Sequence, residues 1–306
     1  MTDLPQNYRG RFAPSPTGPL HFGSLIAAVG SYLDARCSGG EWLVRIEDID
    51  PPREKRGAAY DILKSLEVHG MHWSGDVLYQ STRSSAYEEA LERLDVLKAA
   101  YPCTCSRRDI SQNQPDGSER LVYPGTCREE PLRRNAPAAL RVLTTDTPIT
   151  FNDRIQGEVT VALESEDGDF VVRRKDGLFA YQLAVVIDDE AQGITDVVRG
   201  VDLLDSTPRQ IHLQNLLGLR PLRYAHLPIA VDRDGHKLSK QTRAAPLNRR
   251  HAAISVVRAL RFLGQQPPDE LQHAGLEDVW QWALEHWDIN RVTGSQHPAS
   301  VFGGAQ

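Results

Sequence analysis

Two loops and a group of cysteines carry the residue types from which chemistry can be built. Residues 14–24 read Pro-Ser-Pro-Thr-Gly-Pro-Leu-His-Phe-Gly-Ser. Glycines there let a ligand approach the backbone closely. A helix starting after them would aim unpaired amides and a positive dipole end at a phosphate. His21 adds a ring N–H for a phosphate oxygen. The segment is neither a dinucleotide fingerprint nor a P-loop, because the glycine spacing and the Gly-Lys-Ser/Thr ending are missing. By itself it is also compatible with a rigid connector. The second loop, residues 234–241, reads Asp-Gly-His-Lys-Leu-Ser-Lys-Gln. Lys237 and Lys240 are compact charges suited to the oxygens of a leaving pyrophosphate, although two nearby lysines in isolation are ordinary solvated surface. Cys103, Cys105 and Cys127 form the third group. Thiolates favour Zn²⁺, and structural zinc takes four ligands. No histidine lies between His72 and His212, so the fourth ligand is of another type, with Asp109, Glu119 and Glu129 as candidates. Cys37, on a helix, is expected in the core.

The loops need elements to hold them. Residues 8–12 read as a strand. Leu25, Val29, Tyr32 and Leu33 then recur at helical spacing until Gly39-Gly40, and residues 42–46 read as a second strand. This is the opening βαβ unit of a doubly wound parallel sheet in an α/β protein. Helices are expected over 53–66 and 84–99, and periodicity vanishes over 101–135. Residues 139–186 read as strands with turns, one at Asp176-Gly177. A strand over 194–198, a helix over 207–217 and a strand over 227–231 follow. From residue 246 the pattern is mostly helical, and the last ten residues look like a loose tail.

At 306 residues, 40% hydrophobic and 25% charged, the chain has room for a full core without disulfide or metal staples. Its 41 acidic against 35 basic residues exclude a grip on nucleic acid by bulk charge, while a local basic face stays open. The longest apolar run, around Leu183 to Ile187, is far short of a membrane span. Residues 1–11 carry no secretory h-region. A cytoplasmic protein without membrane contact, monomeric by default, is expected, and its cysteines are expected to be buried or metal-bound rather than paired.

Together, the two loops resemble the HIGH and KMSKS motifs of class I aminoacyl-tRNA synthetases. Residues 45–53 (Arg-Ile-Glu-Asp-Ile-Asp-Pro-Pro-Arg) and 198–210 (Val-Arg-Gly-Val-Asp-Leu-Leu-Asp-Ser-Thr-Pro-Arg-Gln) resemble the glutamyl and glutaminyl branch, in family order, so that the likeness spans roughly residues 8–245. The resemblance implies a Rossmann-type catalytic core over 1–245, an insertion over about 101–190 with a zinc module at 101–135, and a short helical region over 246–306. It implies ATP-dependent activation of L-glutamate to an adenylate, with Mg²⁺ accompanying the ATP. The implied ATP site is Pro14, Thr17, Gly18, His21, Gly23, Ser24, Lys237, Ser239 and Lys240, of which His21, Lys237 and Lys240 are catalytic. The implied glutamate site is Arg11, Phe12, Ala13, Pro14, Ser15, Glu47, Tyr181 and Arg199. Arginine can clamp a carboxylate with two parallel bonds, Glu47 can pair the ammonium, and Tyr181 can donate its hydroxyl. The resemblance also points to Tyr123 as the fourth zinc ligand beside Cys103, Cys105 and Cys127. The sequence departs from the pattern at Ser24, where HIGH ends in a second His, and at Gln241, where KMSKS ends in Ser. Val201 and Leu203 stand where the branch usually carries Glu and often His, at substrate-facing positions.

The sequence stops too soon after Gln241 for a second domain of ordinary size. With its Cys-x-Cys, Tyr, Cys pattern it is similar to the glutamyl-Q tRNA(Asp) synthetase family. That likeness implies an acceptor hydroxyl on queuosine in the anticodon loop of tRNA(Asp), and an unstacked loop nucleotide suits such recognition. Arg107, Arg108, Arg120, Arg128, Arg133 and Arg134 around the zinc module would hold the tRNA backbone. The rival readings are a discrete glutamyl-tRNA synthetase charging the 3′ end of tRNA(Glu), and a catalytically silent tRNA-binding paralogue.

Overall fold

The first two strands are largely buried although they read Arg-Gly-Arg-Phe and Glu-Trp-Leu-Val-Arg-Ile, so their interior arginines must find partners. In the computed structural model, which describes residues 8–112, 121–130, 133, 135–231, 246–294 and 297–298, β1 (Arg9–Phe12) runs parallel to β2 (Glu41–Ile46). Arg9 stands opposite Glu41, and Phe12 opposite Val44. The crossover is α1 (Phe22–Cys37), whose Leu25, Ile26, Ala28, Val29, Leu33 and Ala35 are all buried. Each fully buried Leu, Ile or Val contributes about 1.5–3 kcal/mol, so α1 is a central member of the core. A Cβ on Gly30 would lie 2.6 Å from Leu227 Cδ1, so a larger residue there would force that buried side chain to shift.

The chain continues through α2 (Ala58–Val68), β3 (Leu78–Tyr79), α3 (Ser84–Val96), β4 (Ala100–Cys103), α4 (Arg107–Ser111), β5 (Ala139–Val142), β6 (Ile149–Asp153), β7 (Gly157–Val161), α5 (Leu163–Glu166), β8 (Phe170–Arg173), α6 (Tyr181–Ala191), β9 (Asp196–Gly200), α7 (Thr207–Leu217), β10 (Arg223–Leu227), β11 (Ala230–Val231), α8 (Ala252–Phe262), α9 (Leu276–His286) and β12 (His297–Pro298). β3 pairs with β2, and β9 with β10, all in parallel. The Thr195 N–H donates to the Arg9 carbonyl at 2.9 Å, which sets β9 against β1. The parallel strands therefore run β3-β2-β1-β9-β10, and the order reverses between β1 and β9. Such a switch point opens a crevice at the carboxyl ends of the strands. The β6–β7 hairpin adds to the far side of β10.

The expected doubly wound sheet is thus present. The expected run of strands over 139–186 fails at Tyr181, where α6 begins. Leu183, Ala184, Val185 and Val186 are all buried, and an unbroken apolar run cannot distinguish a buried strand from a buried helix by period alone. This helix packs with α3, α7, β5 and β8 in a second core of Tyr87, Leu94, Val142, Val172, Leu183 and Leu213. Residues 101–135 are less irregular than expected, since they contain β4 and α4. The helices α8 and α9 share one core with α1, β1 and β2 through Val256, Leu260, Val279 and Ala283. Cys37 departs from expectation: it is the last residue of α1 and exposed, with its Sγ 3.4 Å from the Leu284 carbonyl. No helix among the described residues is long and apolar enough to cross a membrane.

Candidate active site

The loop after β1 is fastened from both sides. The Pro14 carbonyl accepts from the Glu47 N–H at 3.1 Å, and the Pro16 carbonyl from the Lys55 N–H at 2.9 Å. Gly18 adopts φ +148°, a value that side-chain-bearing residues rarely take. His21 is the N-cap of α1. Its Nδ1 accepts the Ser24 N–H at 3.3 Å, and Ser24 Oγ lies 3.5 Å from the His21 N–H in a reciprocal capping box. An accepting Nδ1 puts the ring proton on Nε2, the orientation needed to donate to an anion at the helix end. The cap also explains Ser24, since a serine at this position closes the box.

A charged group lies buried at the switch point. Arg11 on β1 directs Nε and Nη2 at Asp189 of α6, at 3.1 and 3.3 Å. Arg45 on β2 gives Nη1 to the same carboxylate at 2.7 Å and to Gln192 at 2.8 Å. Its Nη2 lies 3.4 Å from Glu47. Burial pushes the Asp189 carboxyl up, but Arg11 and Arg45 more than offset it and hold it below the carboxylate range. Burial dominates at Glu47 and raises it despite Arg45 and Arg11. Burial likewise raises the Tyr181 phenol, which also feels Arg199, Glu47, Arg11 and Asp189. These five residues therefore share one electrostatic neighbourhood.

Arg199 on β9 is held by a second set of partners. Nη1 points at Tyr181 Oη at 3.3 Å, and Nη2 at Thr207 and Gln210, both at 2.8 Å. Nε donates to His226 Nε2 at 3.1 Å. His226 Nδ1 lies 2.6 Å from Asp153, and both side chains are fully buried. Burial lowers the imidazole below its ordinary value. A neutral ring accepting at Nε2 carries its proton on Nδ1 and donates it to Asp153. That carboxylate also accepts the N–H groups of Ile155, Gln156 and His226. Burial works against these bonds, yet they bring Asp153 down to about 2.

The three insertion cysteines meet. Their Sγ atoms lie within 4.8 Å of one another, all buried. Tyr123 Oη is 3.4 Å from Cys103 Sγ and 3.9 Å from Cys105 Sγ, and it accepts the Cys127 N–H at 2.9 Å. Three soft donors and a phenol oxygen converging in one buried spot fit a cation of zinc's chemistry. Asp109 is engaged elsewhere, by Arg133 and Ser106, and Glu129 is exposed. Glu119 lies outside the described residues.

Of the expected glutamate residues, Arg11, Glu47, Tyr181 and Arg199 are brought together. Ala13, Pro14 and Ser15 follow in the loop, whose Pro14 carbonyl accepts the Glu47 N–H, whereas the Phe12 ring turns inward and stacks on Trp42 with centroids 6.2 Å apart. Pro14, Thr17, Gly18, His21, Gly23 and Ser24 form the described part of the expected ATP site, while Lys237, Ser239 and Lys240 lie outside the described residues. Pro246 and Leu247 lie beside this loop, with Pro246 bridging His21 and the Leu247 N–H donating to the Leu20 carbonyl at 3.0 Å. The expected basic face on the insertion is weakened. Arg128 is bound to Asp169 and Glu164, and Arg133 to Asp109. Arg107 and Arg108 are exposed, and Arg120 and Arg134 lie outside the described residues. Leu203 and Val201 sit half-buried in the turn after β9, where the Leu203 carbonyl lies 3.5 Å from Arg199 Nη2. Sequence reasoning missed Arg45, Asp153, Asp189 and His226. Arg45 stood inside a quoted motif two residues before Glu47, the one local signal that pointed to any of the four.

Residues 7–266 match the family described as tRNA synthetases class I (E and Q), catalytic domain. The chain is 59% identical over 291 residues to a protein of Dechloromonas aromatica named glutamyl-Q tRNA(Asp) synthetase, covering 93% of this chain and 95% of that one. It is 53% identical over 309 residues to the protein of the same name in Aromatoleum aromaticum, covering 100% and 98%. Among solved structures, the glutamate tRNA ligase of Elizabethkingia meningosepticum in complex with its amino acid superimposes with a TM-score of 0.79 at 25% identity, over 97% of this chain and 69% of that one.

Proposed function

The chain belongs to the class I tRNA synthetases of the E and Q group and, within them, to the glutamyl-Q tRNA(Asp) synthetases, and from that membership we propose how its residues act. The protein activates L-glutamate with ATP and transfers it to queuosine in tRNA(Asp). In the first step a carboxylate oxygen of glutamate attacks the α-phosphorus, an O–P bond forms, and the bond to pyrophosphate breaks. In the second, a hydroxyl of queuosine attacks the acyl carbon and AMP leaves. Neither step needs an enzyme nucleophile, so catalysis is alignment and charge neutralisation.

Glutamate lies at the switch point, with Arg11 and Arg199 facing its carboxylates, Glu47 its ammonium, and the Tyr181 hydroxyl donating beside Arg199. His21 Nε2 and the amides at the start of α1 serve the phosphates. Lys237 and Lys240, carried by the segment whose far end returns to His21, neutralise the β and γ phosphates, with Mg²⁺ on the ATP. Cys103, Cys105 and Cys127, with Tyr123 as fourth donor, hold one Zn²⁺ that staples the insertion. The observation that carries the reading is the convergence of Arg11, Glu47, Tyr181 and Arg199 at the carboxyl ends of β1, β2 and β9. Labelled-glutamate transfer compares tRNA(Asp) with and without queuosine, and only the modified tRNA should be labelled. Equal labelling would instead favour a 3′-end acceptor.

A further inference from the structure

Two basic segments flank the loop that holds His21. The first precedes α2: Arg53, Lys55 and Arg56 are exposed, and the Lys55 N–H is fastened to the Pro16 carbonyl at 2.9 Å. The second is the turn at Asn248, Arg249, Arg250 and His251. Arg249 Nη2 donates to the Asp61 carbonyl at 3.0 Å and to its carboxylate at 3.1 Å, in the first turn of α2. The Leu247 N–H, just ahead of that turn, donates to the Leu20 carbonyl. Both segments are thus tied to the mouth of the site through backbone groups. Arg53 and Arg249 are neutralised by Asp50 and Asp61. Lys55, Arg56 and Arg250 have no acidic partner among the described residues. In the first turn of α2, four residues after Arg56, Tyr60 leaves 70% of its surface in solvent.

Lys55, Arg56 and Arg250 are thus cations left without a carboxylate among the described residues of a chain of net charge −6. Cations without carboxylate partners suit phosphates, and an exposed ring is a platform for an unstacked base. Of the insertion arginines, Arg128 and Arg133 are paired with carboxylates within the protein, while Arg107 and Arg108 are exposed. We propose that Lys55, Arg56, Tyr60 and Arg250 form the docking surface for the tRNA backbone beside the active-site mouth. The proposal rests on the reading above that the acceptor is a nucleic acid, and it adds where that acceptor is gripped.

The test is the triple charge reversal K55E/R56E/R250E, read by three measurements. The first is tRNA(Asp) binding to a filter over a range of salt. The second is kcat/KM for tRNA in labelled-glutamate transfer, and the third is glutamate-dependent pyrophosphate exchange without tRNA. Binding and kcat/KM should fall at least about tenfold, and the salt slope should flatten by roughly two to three contacts. Pyrophosphate exchange should stay within about twofold of the wild type. The milder K55Q/R56Q/R250Q variant should give an intermediate loss, and it serves if the reversal fails to fold. Wild-type affinity and salt slope in either folded variant would overturn the surface. A wild-type enzyme that binds tRNA through these residues yet labels none would instead overturn the acceptor reading.

Discussion

Replacing Asp189 with Ala removes the one carboxylate shared by two buried guanidiniums. The Asp189 side chain is 5% exposed, that of Arg11 3% and that of Arg45 0%. Without it Arg45 keeps only Gln192 and a 3.4 Å approach to Glu47, and Arg11 loses both bonds that orient it. Breaking a buried ion pair by deleting one partner costs about 3–5 kcal/mol, because the other charge is left uncompensated. At about 2–4 °C per kcal/mol for a large domain, Tm should fall by roughly 6–20 °C in a calorimetric or circular-dichroism melt. Arg11 is then free to turn away from the substrate, so the KM for glutamate in pyrophosphate exchange should rise at least about tenfold, equivalent to about 1.4 kcal/mol. The double variant Asp189→Leu with Arg45→Met separates the two effects. Removing the Arg45 charge recovers part of the stability, while Arg11 stays unsupported and KM stays high. A single variant melting within about 2 °C of the wild type would refute the reasoning, since the arginines would then not depend on this carboxylate.

Stability should also respond to mild acid. Burial holds His69, His212 and His226 below their ordinary 6.5, so below that pH the unfolded chain binds protons that the native state refuses. Stability is therefore complete above about pH 6.5 and declines as pH falls beneath it, by at most about 1.4 kcal/mol per unit for each ring; His226→Gln should flatten the decline, and a Tm constant from pH 8 to 5 would contradict neutral buried rings. For the cysteine cluster, elemental analysis of purified protein should find about one zinc per chain. Substituting Ser for Cys103, Cys105 or Cys127 should abolish it, and zinc-free wild-type protein would remove the site.

What the sequence made legible was local. The loop at residues 14–24 declares itself through proline and glycine, α1 through its period, and Cys103 and Cys105 through their spacing. The residues that hold the site were hidden because their partners are remote in the chain. Arg11 meets Asp189 across 178 positions, Arg45 meets it across 144, and His226 meets Asp153 across 73. An aspartate in the Asp-Asp-Glu run near the end of α6 looks like an ordinary surface charge until the sheet brings two arginines to it. The expectation for Arg128 failed for the same reason, since Asp169 lies 41 residues away.

Charge balance explains why so costly a group of buried ions sits at this point. An apolar core of similar shape would be as stable, so stability alone does not account for it. Arg11, Arg45 and Arg199 bring three positive charges, and Glu47 and Asp189 bring two negative ones. The remaining carboxylate, Asp153, spends its charge on three backbone N–H groups and the His226 ring. Arg199 therefore meets a neutral imidazole nitrogen in place of an anion. A histidine between the two fixes the guanidinium without cancelling it, which a direct Asp153–Arg199 pair would do. Counting Asp153, the three carboxylates balance the three guanidiniums, but Arg199 is left without a carboxylate in contact, and a glutamate carboxylate would supply one. Glutamine, whose side-chain amide is neutral, would leave that guanidinium without a carboxylate in a low-dielectric site, where an unpaired charge is most costly. On the proposed placement of glutamate, discrimination against glutamine is expected to follow from the histidine's neutrality as much as from the arginine's presence.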